Sequence, residues 1–303
     1  MHTDAVQLTA TQPYDFARSL AFLSAFSPMA GEQHVGEGAI WKAVQLDGVT
    51  VGVRLRAAPG GVDCRLWSAG PISPSLRARA AAWARSFLSL DDDLGAFYSR
   101  AAEDEVVAPY VKKLHGLHQV RLTTPFEGAV WAVLGQRCPQ RVARAMKDRL
   151  VAAYGGHITV EGRELPAFPE AASLVGVSVE ALAGVIGHEQ KARRVHAVVA
   201  AFAGVDEDFL RTAPVEEVRD WLLHIDGIGP WSAAFILLRA VGRTESVAGA
   251  EAQLADAIGA AYGKTLSAHQ FRVLAADWEG LQGYWSFYLK AGTAIEARAA
   301  VPR

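Results

Sequence analysis

In the stretch IDGIGPWSAAFILLR, residues 225 to 239, two glycines flank one isoleucine and an apolar run follows at once. Glycine permits the positive φ of a turn too tight for a residue with a side chain, and it lets another molecule's backbone come close. Such a turn exposes backbone N–H groups at the start of the next helix, where the helix dipole adds to their attraction for a phosphate. Gly227 and Gly229 are therefore candidates for holding a nucleic-acid backbone without positive side chains. A tight turn between packed helices, with no ligand at all, accounts for the two glycines alone equally well.

Positive side chains occur elsewhere. QRCPQRVARAMKDRL places Arg137, Arg141 and Arg144 at helical spacing, with Lys147 and Arg149 after them, and QKARR at 190–194 forms a second cluster. Each reads either as a solvated helix face, the simpler reading taken alone, or as a phosphate-binding face. His115 and His118 in LHGLHQ could be ligands, but no cysteine or carboxylate cluster stands beside them, so a structural role is preferred. Cys64 and Cys138, the two cysteines, cannot build a disulfide framework, a four-thiolate zinc site or an iron–sulfur cluster.

The elements that must position these residues follow from periodicity. PVEEVRDWLLH reads as a helix, with Pro214 and two glutamates suiting its first turn and Val218, Trp221 and Leu222 on one face, so 214–242 is helix, hairpin, helix. Helical patterns run from Asp91 to the C-terminus, interrupted by one expected short hairpin, GHITVEGRELPAFP. Before them, AIWKAVQLDGVTVGVRLRA alternates around an Asp47–Gly48 turn and GGVDCRLWSAG supplies a third strand, flanked by two helical stretches. The fold class expected is α+β, a small antiparallel sheet-plus-helix domain over 11–100 and an all-helical body over 101–300.

The 303 residues are 51% hydrophobic and 20% charged, the balance of an ordinary globular protein. With 30 basic and 32 acidic residues the net charge is −2, so any nucleic-acid role rests on a local patch. The N-terminus lacks a basic segment followed by an apolar one, and the most apolar stretches are broken by Arg239 or by glycine. Neither secretion nor membrane spanning is expected; a reducing cytoplasm and a monomer are.

LLHIDGIGPWSAAFILLRAVGRTESVAGAEAQL resembles the helix-hairpin-helix and the Gly/Pro-rich loop of base-excision DNA glycosylases, and PFEGAVWAVLGQ resembles the helix that opens their catalytic domain. Within that superfamily the match is closest to 3-methyladenine DNA glycosylase II, and it covers about residues 11 to 295. The resemblance implies a glycosylase body with a small sheet domain before it. It implies amides around Gly227 and Gly229 on a phosphate, and backbone carbonyls of Leu223, Ile225 and Ile228 around Na+ or K+, with no cofactor required. Trp231 and Phe235 match aromatic positions of the base pocket, and four residues apart on a helix they share a face. Lyase relatives set a Schiff-base lysine where Trp231 stands, so strand cleavage is not implied.

Arg137 falls where the superfamily sets a residue that fills the gap left by an extruded nucleotide, and Gln136 and Arg141 are implied to bind DNA beside it. An arginine can stack its planar guanidinium between bases. Pro139 stands where a small hydroxyl residue is common, and Asp226 replaces a usual proline. Ungapped counting puts Glu251 at the catalytic aspartate; Ala248, Gly249 and Ala250 replace the proline-containing stretch before it. The implied function is excision of alkylated purines from double-stranded DNA by hydrolysis, in base-excision repair. The alternative is a catalytically silent or impaired paralogue that binds damaged or distorted DNA.

Overall fold

The computed structural model describes residues 1–25, 31–122, 124–245, 247 and 252–299. Its first layer is a five-stranded antiparallel sheet. The chain runs β1 (His2–Thr9), α1 (Phe16–Ala25), β2 (Gln33–Gly36), β3 (Ala39–Leu46), β4 (Val49–Ala58) and β5 (Gly61–Ser68), with strand order β1-β5-β4-β3-β2. Asp47 and Gly48 form the β3–β4 hairpin with φ of 54° and 74°, as the Asp-Gly pair predicts. The sheet starts at His2, before the domain start expected at residue 11. β1 and β2 are the edge strands; β1 turns Val6 and Leu8 inward and leaves Ala5, Gln7 and Thr9 exposed, whereas β3 is buried along nearly its whole length.

Alternation in β3 sends Ile40, Val44 and Leu46 to one face and Ala39, Trp41 and Ala43 to the other. The first face packs on α1 and on α2 (Pro74–Phe87), which starts at Pro74 behind the Ser73 cap. α3 (Gly95–Ala102) and α4 (Ala108–Leu114) then lead into α5 (Pro125–Leu134), capped by Thr124, and α6 (Gln140–Tyr154). The expected hairpin follows as β6 (Gly156–Val160) and β7 (Arg163–Ala167), and it returns to cover the second face of the sheet. Gly52 of β4 admits it: a Cβ there would collide with Val160. Glu161 at its tip accepts from Trp41 Nε1 at 2.8 Å and from Arg54 at 2.6 Å.

The remaining helices are α7 (Ala171–Leu174), α8 (Val179–Ile186), α9 (Glu189–Phe202), α10 (Glu207–Thr212), α11 (Val215–Leu223), α12 (Pro230–Ile236), α13 (Ala252–Tyr262), α14 (Ala268–Ala276) and α15 (Gln282–Ala299). α12 continues as a π-helical turn, Leu237–Val241, that ends at Gly242 with φ of 90°. One core runs from the sheet through α2, α5, α6, α8, α9 and the α11–α12 pair. A second is formed by α3, α4 and α13 to α15, so α3, which straddles residue 100, belongs to the C-terminal helices. Among the described residues no helix is long and apolar enough to cross a membrane.

Candidate nucleic-acid interface

α11 ends in two successive turns, Ile225 N–H to Leu222 carbonyl at 3.1 Å and Ile228 N–H to Ile225 carbonyl at 3.0 Å. Buried Ile225 and Ile228 hold them against the core, leaving Leu223 and Asp226 outward. Gly227 takes φ of 87°, and Arg194 side-chain carbons lie 2.5–2.9 Å from where its Cβ would be. Gly229 differs from expectation: its φ is −96°, open to any residue, and a Cβ there would meet nothing within 4 Å. It serves as the N-cap of α12 without a side-chain bond, so it leaves bare the first-turn amides that no helix can pair internally. Neutral carbonyl oxygens such as those of Leu223, Ile225 and Ile228 suit a hard cation.

Trp231 and Phe235 share a face, their rings stacked at 5.5 Å and 15° apart. Trp231 is 45% exposed, an uncommon state for tryptophan, while Phe235 is half-buried. Ser232 between them is turned into the core.

The loop between α5 and α6 comes to this hairpin. Gln136 donates from Nε2 to the Gly227 carbonyl at 2.6 Å and to Ser232 Oγ at 3.3 Å, and its Oε1 accepts from Arg194 Nη1 at 2.7 Å. Arg137 beside it is exposed, with φ of 51°, a left-handed backbone uncommon outside glycine. It precedes α6 rather than lying on it, so it is not part of that helix's stripe. Arg141 is exposed in the first turn of α6. The structure thus joins Gln136 to Gly227 and places the stacked aromatics one turn away; Glu251 lies outside the described residues.

Further along the basic stripe Lys147 is buried, while Arg149 is exposed but bonded within the protein. Lys147, 3% exposed, meets Glu127 at 2.6 Å and Glu32 at 2.5 Å, and Glu32 also pairs with Lys42 at 3.6 Å. Burial alone would raise the Glu32 carboxyl, but the ammonium groups of Lys147 and Lys42 outweigh it and hold it below the usual carboxylate range. Burial would likewise depress Lys147, and Glu127 and Glu32 raise it instead. Arg149 donates to the Val185 and Ile186 carbonyls, closing the end of α8. In the second cluster Arg193 faces Glu189 at 3.8 Å, and Lys191 and Arg194 turn inward. Those inward roles leave no mark in the sequence beyond their spacing three apart on α9. His118 is buried between the Ser89 and Pro13 carbonyls, and His115 stacks on Tyr98.

A cavity of about 850 Å³ opens beside Trp83, Arg85, Arg121, Phe126 and Arg211 and includes none of the sequence-predicted site residues. Its arginines face carboxylates, Arg85 with Asp91, Arg121 with Asp92 and Arg211 with Glu207.

No protein-family model matches the sequence. The chain is 26% identical over 171 residues to a DNA-3-methyladenine glycosylase of Bacillus subtilis, 56% of each chain. It is 30% identical over 250 residues to a probable bifunctional transcriptional activator/DNA repair enzyme AlkA of Mycobacterium tuberculosis, 79% of this chain and 47% of that protein. The chain spans about half the length of these curated relatives. Among solved structures it is similar to a 3-methyladenine DNA glycosylase from Archaeoglobus fulgidus, with a TM-score of 0.74 at 20% identity over 95% of this chain and 97% of that one.

Proposed function

We propose, for a chain that belongs to the helix-hairpin-helix DNA glycosylase superfamily, that it removes alkylated purines from double-stranded DNA by hydrolysis. The observation that supports this most is the Gln136–Gly227 bond: it makes one unit of a phosphate-facing hairpin and a loop that projects an arginine. On this reading the amides around Gly227 and Gly229 bind a backbone phosphate, which positions the duplex without reading its sequence. Carbonyls of Leu223, Ile225 and Ile228 would hold a monovalent cation whose charge adds to that attraction. Arg137 enters the stack as the nucleotide leaves it, and Arg141 follows the phosphates.

The extruded base then meets Trp231 and Phe235. A purine methylated at N3 or N7 is cationic, and an exposed tryptophan face attracts a cation by about 0.5–2 kcal/mol. When the N-glycosidic bond breaks, its electron pair leaves with the base and neutralises that charge. C1′ is left electron-poor and takes the oxygen of water, which gives up a proton. Glu251 is assigned to stabilise the oxocarbenium-like sugar or orient the water, as carboxylates do in glycoside hydrolysis. Trp231 carries no amine to form a Schiff base, so the sugar–phosphate strand stays intact.

The test is incubation with duplexes carrying 3-methyladenine or 7-methylguanine, followed by chromatography of free base and electrophoresis of the strand. Released methylated base with an uncut strand is the expected result. Cleavage of the strand by the enzyme itself, or release of no base, contradicts the reading.

A further inference from the structure

α9 supports both halves of this interface from beneath. Lys191, 6% exposed, spends its three N–H donors inside the protein: on the Leu134 carbonyl, on the Gln136 carbonyl at 2.9 Å and on Cys138 Sγ at 3.3 Å. None is left for a phosphate. Its targets bracket Arg137 on both sides. One turn along the helix, Arg194 lies under Gly227 with its methylene stem and holds Gln136 Oε1 with its guanidinium. That charged donor sets which way the Gln136 amide faces, and so directs Nε2 to Gly227. The left-handed backbone of Arg137 is a conformation that persists only where the surroundings determine it, and these bonds are the surroundings.

We infer that Lys191 and Arg194 are positioning residues that couple phosphate anchorage at the hairpin to nucleotide extrusion at Arg137. The inference rests on reading Arg137 as the residue that fills the gap. Docking of the hairpin on a phosphate then fixes the height at which Arg137 meets the stack. The basic cluster at 190–194 therefore acts on DNA through the loop it holds rather than by touching phosphates.

The test is a double-mutant cycle on the full chain, with dissociation constants for undamaged duplex and for duplex carrying a tetrahydrofuran abasic analogue. Lys191→Met should lose roughly tenfold on the analogue and less than about twofold on undamaged duplex, and Arg137→Ala/Lys191→Met should bind the analogue no worse than Arg137→Ala. Losses that multiply, or equal losses of Lys191→Met on both duplexes, would overturn the coupling. Arg194→Met offers the same comparison should Lys191→Met not fold. Arg194→Lys, which keeps a donor toward Gln136, should recover most of that affinity, and no recovery counts against the proposal. Equal losses of Arg137→Ala alone on both duplexes remove the gap-filling reading, which identifies that failure separately.

Discussion

At Gly227 the backbone is left-handed and the space beneath it is filled by Arg194, whereas Gly229 has ordinary φ and open space above it. The two positions therefore separate stability from binding. Gly227→Ala should lower stability by roughly 1–3 kcal/mol in denaturant titrations, because a Cβ is strained at that φ and meets Arg194. Gly229→Ala should leave the unfolding midpoint unchanged. If the open space is where a phosphate docks, it should still weaken binding to methylated and unmethylated duplex alike; undiminished affinity would remove Gly229 from the interface. The sequence makes the tight turn legible through its glycines, but it cannot distinguish a glycine needed for φ from one needed for access, since both are written with the same letter.

At the scale of elements, α6 is where periodicity misleads. Its helical pattern is plain, yet its basic residues divide: Arg141 faces out, Lys147 is sealed against Glu127 and Glu32, and Arg149 closes α8. A charge repeat shows which residues share a face, not which buried carboxylates wait there, and Glu32 is 115 residues away. Lys147→Met would leave Glu127 and Glu32 buried beside less positive charge and should cost about 3–5 kcal/mol, while Lys147→Met with Glu127→Gln and Glu32→Gln should recover part of it. A loss below about 1 kcal/mol would show that the cluster relaxes at little cost. The pH dependence follows from Glu32, whose folded carboxyl titrates below the unfolded value of about 4.3. Its contribution is present above that value and is lost as pH falls through the lower folded value. Glu32→Gln should flatten the stability curve below about pH 4, and an unchanged slope there would contradict the assignment.

At the scale of the molecule, the sheet and the helical body should unfold as one cooperative structure, because β6 and β7 cover one face of the sheet and the main core crosses the other. The sheet-plus-helices division was legible from where alternation stops; the return of the β6–β7 hairpin was not, because its partners Trp41 and Trp67 lie far away in sequence and already read as strand residues. Glu161→Ala removes the acceptor of both Trp41 and Arg54 and should lower the stability by about 1–3 kcal/mol with one transition in fluorescence and circular dichroism. Separate transitions by the two probes would mean that sheet and body unfold independently. Under the proposed function, base release depends on the carboxylate of Glu251. The most direct measurement is single-turnover release of 7-methylguanine from duplex DNA by the native protein and by Glu251→Gln, alongside the affinity of each for that duplex. The native protein should release base, and Glu251→Gln should bind equally well and release it more slowly by roughly 10²-fold or more. A native protein that binds the methylated duplex and releases no base above background, or a glutamine variant as fast as the native one, would contradict the account.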